Sequence, residues 1–416
     1  MAAPEPPESL TTRVLSLVAG ALDRTVLQGM TLAYEAALVP ALDDYPSLRA
    51  SAHPYTDPIL ERDPRRFFAF LERPHACAIP TGIARRPIEG GAIVTRRMPS
   101  RYVPYHPIAD EDPCPANATV WMEHWMHEPG PPRATMLVLH GFTMGRPRID
   151  AHLMMVDRWY RLGVDVVQLV LPFHGARASE RCRYSGERFA SWHVGRLNEA
   201  VRQSVHDAHA VLRWLAETTA APVGVLGMSL GGYLTALLAA LEPRLAFAIP
   251  VVPAVCLADL PTRLFACSRA GRTGVLPPMT RLELQRAYRA HSPLSYPLAL
   301  PSERVLVVGA RGDGVTPFAQ AQALWEHWQR PSAVWFSGGH VTPFQRSRVA
   351  VAVARHLRAL DVIDAPDGPS AGLPRPMLVG LPARKITSRS APSSWETAAA
   401  RAQMRLVTPA ARGPGR

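Results

Sequence analysis

Six short apolar runs, each closed by a turn rich in glycine or proline, organise the chain: Ala134–Leu139, Val164–Leu171, Val223–Met228, Leu245–Val252, Val305–Ala310 and Ser332–Phe336. Their apolar residues are near-continuous rather than alternating, which predicts strands buried on both faces, as in a parallel sheet. Helix-spaced segments lie between them, including the Leu197, Val201, Val205, Leu212 stripe and the run from Tyr233 to Ala240. Strands alternating with helices predict an α/β fold, a mostly parallel sheet flanked by helices. Ahead of these runs, Gly90–Thr95 and Ala118–His127 read as antiparallel edge strands opening the sheet.

The same patterning predicts the domain limits. Residues 1–75 are expected to form an N-terminal helical extension, with Val14, Leu15, Leu17, Val18 and Leu22, then Val26, Leu27 and Met30, packing on the main domain through an amphipathic helix. Residues 76–361 are the expected catalytic domain, and residues 362–416 a disordered basic tail rich in Pro, Gly, Ser and Arg. Between the runs at Leu245 and Val305 the chain spends longer than α/β connections normally do, so residues 254–301 are expected to form a lid or cap insertion ahead of the Asp313 strand.

Three of the turns carry chemistry. Gly227-Met228-Ser229-Leu230-Gly231 breaks a strand into a helix, the context in which a Ser hydroxyl is lifted toward a base while the new helix turns its N–H groups on a developing oxyanion. The strand from Ala134 ends in His140-Gly141-Phe142, and the amides of Phe142 and Leu230 are the expected oxyanion donors. Gly312-Asp313-Gly314 presents one acid at a strand end, and Ser337-Gly338-Gly339-His340 presents an imidazole. An acid in that position accepts the Nδ1–H of the imidazole and fixes its tautomer. His174, in Pro172-Phe173-His174-Gly175, is the rival base. A loop role is favoured for it, because a base ahead of the nucleophile would break the chain order Ser229, Asp313, His340.

These residues and their order resemble the α/β-hydrolase superfamily over roughly residues 90–358. The resemblance implies a serine hydrolase cleaving a carboxylic ester through an acyl-enzyme, with Ser229 as nucleophile, His340 as base and Asp313 as its orienting acid. The same site would also serve an acyltransferase or thioesterase, and the fold is compatible with a catalytically silent binding protein. The expected partner is a small-molecule ester, with no cofactor and no metal. As a narrower option, Arg177, Arg181, Arg183, Arg188 and Arg196 follow a strand exit and could bind an acidic substrate group.

Charge and composition change this picture little. The 416 residues carry a net charge of +12. Residues 368–416, however, hold eight basic side chains against the single acid Glu396, so more than half of that excess sits in the tail, and no nucleic-acid partner is expected. The five cysteines (Cys77, Cys114, Cys182, Cys256, Cys267) are scattered, which speaks against a disulfide framework or zinc site. With no apolar stretch long enough to span a bilayer and no basic n-region before Val14, a cytoplasmic enzyme is expected. His124 and His127 stand three apart in a predicted strand, which should send them to opposite faces, so they are not expected to share a metal ion.

Overall fold

The computed structural model describes residues 10–42, 45–72, 78–108, 114–189, 193–341 and 346–364. The tail from residue 365 onward and Cys77 lie outside the described residues. Nine strands form one sheet: β1 (Thr81–Ile88), β2 (Gly91–Pro99), β3 (Thr119–His127), β4 (Ala134–Leu139), β5 (Val164–Val170), β6 (Val223–Met228), β7 (Ala248–Val251), β8 (Leu306–Ala310) and β9 (Ser332–Phe336). Their order is β1-β2-β3-β5-β4-β6-β7-β8-β9. The first three strands are joined antiparallel to one another and to β5, and from β5 onward every pairing is parallel. This is the mostly parallel, helix-flanked sheet of the α/β-hydrolase fold.

Two apolar layers explain why the central strands read as unbroken hydrophobic runs. Every residue of β4 and β5 is buried. Leu137, Leu139, Val167 and Leu169 join one layer with Val201, Val205 and Leu212 from helix Val194–Thr218 and Leu234 and Leu237 from helix Leu230–Leu241. Met136, Val138, Val164 and Val166 face the other layer, with Trp159 and with Val349, Val353 and Leu357 of helix Arg346–Ala359. Period-two alternation still decides which layer each residue enters, but both layers are apolar.

Ahead of the sheet the chain is helical, beginning with the 33-residue helix Leu10–Leu42. The face it buries differs from the expected one. Val14, Leu17, Val18, Leu22 and Val26 are exposed, while Ala19, Asp23, Leu27 and Thr31 are buried. The buried stripe has i, i+4 spacing; Leu27 packs as expected, while the small and polar residues around Gly20 and Asp23 let the helix backbone approach glycine turns that bulkier residues would hold off.

Residues 254–301 contain helices Asp259–Cys267, Arg269–Arg272 and Arg281–Ala287. Leu284, Ala287, Tyr288 and Tyr296 from this stretch belong to the same buried layer as the central strands.

Two arginines of the group after β5 are paired within the chain. Arg177 is fully buried; it donates to Asp207 Oδ2 at 2.7 Å and to the carbonyls of Val170 and Asn117 at 3.1 and 2.9 Å. Arg183 donates from Nε to Glu187 at 2.7 Å. Burial removes Arg177 from the suggested substrate-binding set, whereas the Arg183–Glu187 pair lies at the surface. Replacing Arg177 by Ala leaves the Asp207 carboxylate buried without its counter-ion, and a loss of about 3–5 kcal/mol in urea-unfolding stability is expected.

The two histidines of β3 both reach Asp165. His124 Nε2 lies 3.5 Å from Asp165 Oδ2, and His127 Nδ1 lies 2.7 Å from Asp165 Oδ1. Asp165 falls beside the end of β3, where one carboxylate reaches His124 across the sheet face and His127 around the strand terminus. Opposite faces therefore do not keep the two imidazoles from one partner. Among the described residues no group of three or more His, Cys, Asp or Glu side chains is arranged to hold a metal ion.

Candidate active site

At the end of β6 the backbone turns sharply at Ser229, with φ 57° and ψ −113°, before helix Leu230–Leu241 begins. A non-glycine residue at positive φ is costly, and here it projects the hydroxyl away from the chain. Only glycine fits around the turn. A Cβ on Gly227 would stand 2.1 Å from Gly231 O, and one on Gly231 would stand 1.9 Å from Leu139 O. The start of the helix thus rests directly on the end of β4. That contact brings the Leu230 segment beside His140-Gly141-Phe142, where a Cβ on Gly141 would lie 3.5 Å from Ser229 Cβ. Leu230 opens the helix, so its N–H belongs to the first-turn donors that have no intrahelical acceptor.

His140 locks this corner rather than reacting. Its Nε2 accepts the Leu171 N–H at 3.0 Å, which leaves Nδ1–H to donate to Gly141 O at 2.8 Å. Burial holds its pKa down at about 4, so the ring is neutral and ties the exits of β4 and β5 together. His174 is fully buried against His140, Phe142 and Phe189, with Nδ1 2.8 Å from Pro172 O. It belongs to the wall behind Phe142.

Ser229, His340 and Asp313 meet at the carboxyl edge of the sheet. His340 Nε2 is 2.8 Å from Ser229 Oγ, and His340 Nδ1 is 2.8 Å from Asp313 Oδ2. Asp313 Oδ1 accepts the N–H groups of Val315 and Thr316 at 2.9 and 2.7 Å, which fixes the carboxylate within its own turn. Thr316 Oγ1 lies 3.0 Å from both Asp313 Oδ2 and His340 Nδ1 and 3.3 Å from Val252 O. Thr316 was not singled out from the sequence. Its signal was the Asp-Gly-Val-Thr spacing, in which an acid accepts from the N–H two and three residues on.

The electrostatics of the imidazole are opposed. Burial, the largest single influence, disfavours its charged form, but the charge and hydrogen bond of Asp313 and the charge of Asp23 together outweigh it, and the His340 pKa is raised above its ordinary value.

A sheet of this topology, with a serine at a strained strand-to-helix turn beside a carboxylate-paired histidine, defines an α/β-hydrolase site. The family model of serine hydrolase (FSH1) matches residues 132–352, and the chain belongs to this family of serine hydrolases. It is 33% identical over 239 residues to Uncharacterized protein Rv2627c of Mycobacterium tuberculosis (strain ATCC 25618 / H37Rv), an alignment covering 56% of each protein. The same figures hold for Uncharacterized protein MT2702 of strain CDC 1551 / Oshkosh, so the chain spans just over half the length of these relatives. Among solved structures it is similar to an acetyl xylan esterase from Paenibacillus sp. R4. The TM-score is 0.50 at 14% identity, with 70% of this chain and 92% of the esterase covered, a likeness of fold. No described helix is long and apolar enough to cross a membrane.

Proposed function

We propose that the protein hydrolyses carboxylic esters through Ser229, His340 and Asp313. The observation that carries this reading is the unbroken relay of two 2.8 Å contacts from Ser229 Oγ through the imidazole to Asp313. Ser229 Oγ attacks the ester carbonyl as its proton passes to His340 Nε2, and the Phe142 and Leu230 N–H groups receive the oxyanion. Collapse expels the alcohol, which takes the proton from His340 and leaves an acylated Ser229. Water then attacks the acyl group, giving a proton to His340, and release of the carboxylic acid returns that proton to Ser229.

The direct test is treatment of the purified protein with a fluorophosphonate probe, followed by mass-spectrometric mapping and a panel of esters, thioesters and amides. Labelling confined to Ser229 with turnover of esters is the expected result. Labelling with turnover of thioesters alone would move the assignment to a thioesterase, and a folded protein that takes no label would make it a binding protein.

The raised His340 pKa sets the pH dependence. The base works only when neutral, so kcat/KM is full above the imidazole pKa and falls as pH drops through it. Because that pKa lies above the ordinary histidine value, the acid limb is expected on the alkaline side of about 6.5. A limb well below that value would contradict the assignment of His340.

We assign selection of the acyl group to residues 254–301. The support is that Arg263 in this stretch donates to Gly314 O and Val315 O, each at 2.8 Å, beside the acid turn, while Val275 and Leu276 present exposed apolar side chains. Leu276→Asp is expected to shift the ester chain-length profile toward short acyl groups. An unchanged profile in the folded variant would remove this role.

A further inference from the structure

The turns that carry Asp313 and His340 are clasped by a residue from far upstream. Asp23, in helix Leu10–Leu42, is fully buried. Its Oδ2 accepts the backbone N–H of His340 at 2.5 Å and of Gly314 at 2.9 Å, and its Oδ1 accepts the N–H of Val341 at 3.1 Å. One carboxylate thus binds three donors from two turns that are remote in sequence. The turns also touch each other, through Gly312 N–H to Gly338 O at 2.9 Å.

Glycines make this approach possible. A Cβ on Gly20 would stand 3.0 Å from Gly312 O, one on Gly312 would stand 2.2 Å from Ser16 O, and one on Gly339 would stand 2.5 Å from Asp23 Oδ2. The helix therefore lies backbone to backbone on the acid turn, with its single buried carboxylate inserted between that turn and the base. The charged groups facing this junction are Asp313 from the β8 turn, Asp23 from the helix and Arg263, whose guanidinium holds the Gly314 and Val315 carbonyls.

We propose that Asp23 is a positioning residue for His340: it fixes the backbone of the base against the acid turn and adds its charge to that of Asp313 behind the imidazolium. Buried hydrogen-bonded carboxylates hold backbone donors more tightly than neutral acceptors do, and small displacements of a catalytic group are expensive in rate. The inference rests on the reading of Ser229, Asp313 and His340 as a hydrolytic relay.

The test compares wild type, Asp23→Asn and Leu27→Ala in the full chain, the last loosening the same helix while leaving the carboxylate in place. Turnover of p-nitrophenyl acetate is measured across pH per fluorophosphonate-titrated site, and the His340 imidazole is titrated by low-field proton NMR. Asp23→Asn is expected to lower kcat per titrated site by roughly 10–100-fold with little change in KM. It should also move the acid limb and the imidazole titration to lower pH. Leu27→Ala should lower only the melting temperature. Wild-type kcat per site and an unmoved limb in Asp23→Asn would overturn the proposal and reduce Asp23 to a structural contact. If Asp23→Asn does not fold, Gly20→Ala, which wedges the helix off Gly312, takes its place with the same readouts and the same overturning result. A wild type that takes no label at Ser229 would sink the hydrolytic reading, whereas the NMR titration would still decide whether Asp23 governs the imidazole.

Discussion

Ser229→Ala is expected to lower kcat on any ester the protein accepts by roughly 10⁶-fold, and to abolish fluorophosphonate labelling. The change removes one oxygen and nothing else that the elbow depends on. The turn is set by Gly227 and Gly231, by the Ser229 N–H to Val251 O contact at 2.9 Å, and by Tyr233 N–H to Ser229 O at 2.9 Å, all of which alanine retains. The melting temperature should consequently stay within a few degrees of wild type, about the range of a neutral substitution. A variant that kept a tenth or more of the activity would place the nucleophile elsewhere.

The second large effect is expected from Asp313→Asn, about 10⁴-fold in kcat. The amide can keep its oxygen on the Val315 and Thr316 N–H groups, so the turn survives. Its NH₂ group then takes the place of Oδ2 and faces His340 Nδ1, where it can only donate. The imidazole is driven to put its proton on Nε2, and it can no longer accept from Ser229 Oγ, which stands 2.8 Å away. The loss should appear in kcat with KM little changed, and the acid limb of the pH profile should move down as the charge that raises the His340 pKa disappears. Retention of activity within tenfold of wild type would mean that another acid, rather than Asp313, orients the base.

What the sequence disclosed and what it withheld follow from the range of the interactions. Strand ends were legible because burial on both faces leaves long apolar runs, and the turns that close them need Gly where backbones touch, as at Gly227 and Gly231 against Gly231 O and Leu139 O. Ser229, Asp313 and His340 stand at such ends, and the structure brings them into hydrogen-bonding distance. His140 and His174 were visible as residues but not as roles, since a packed, carbonyl-bound imidazole has no pattern of its own.

Long-range partners left no trace in local patterning. Arg177 and Asp207 are 30 positions apart, and the pairing of Asp23 with His340 spans 317. The N-terminal helix misled for a related reason. Its apolar positions at Val14, Leu17, Val18, Leu22 and Val26 suggested the packing face, whereas the buried stripe runs through Ala19, Asp23, Leu27 and Thr31 and meets glycine turns around Gly20 and Asp23.

The Asp23 contact also separates two boundaries that are easily taken as one. The span shared with the FSH1 family, residues 132–352, includes Ser229, Asp313 and His340 and the proposed oxyanion donors Phe142 and Leu230. It omits β1–β3 and the helix that reaches back over the two turns. A polypeptide cut to the homologous span would keep each of those residues and lose the Asp23 carboxylate that accepts the Gly314, His340 and Val341 N–H groups. In this protein the unit of inheritance is shorter than the unit of architecture built around Ser229, Asp313 and His340.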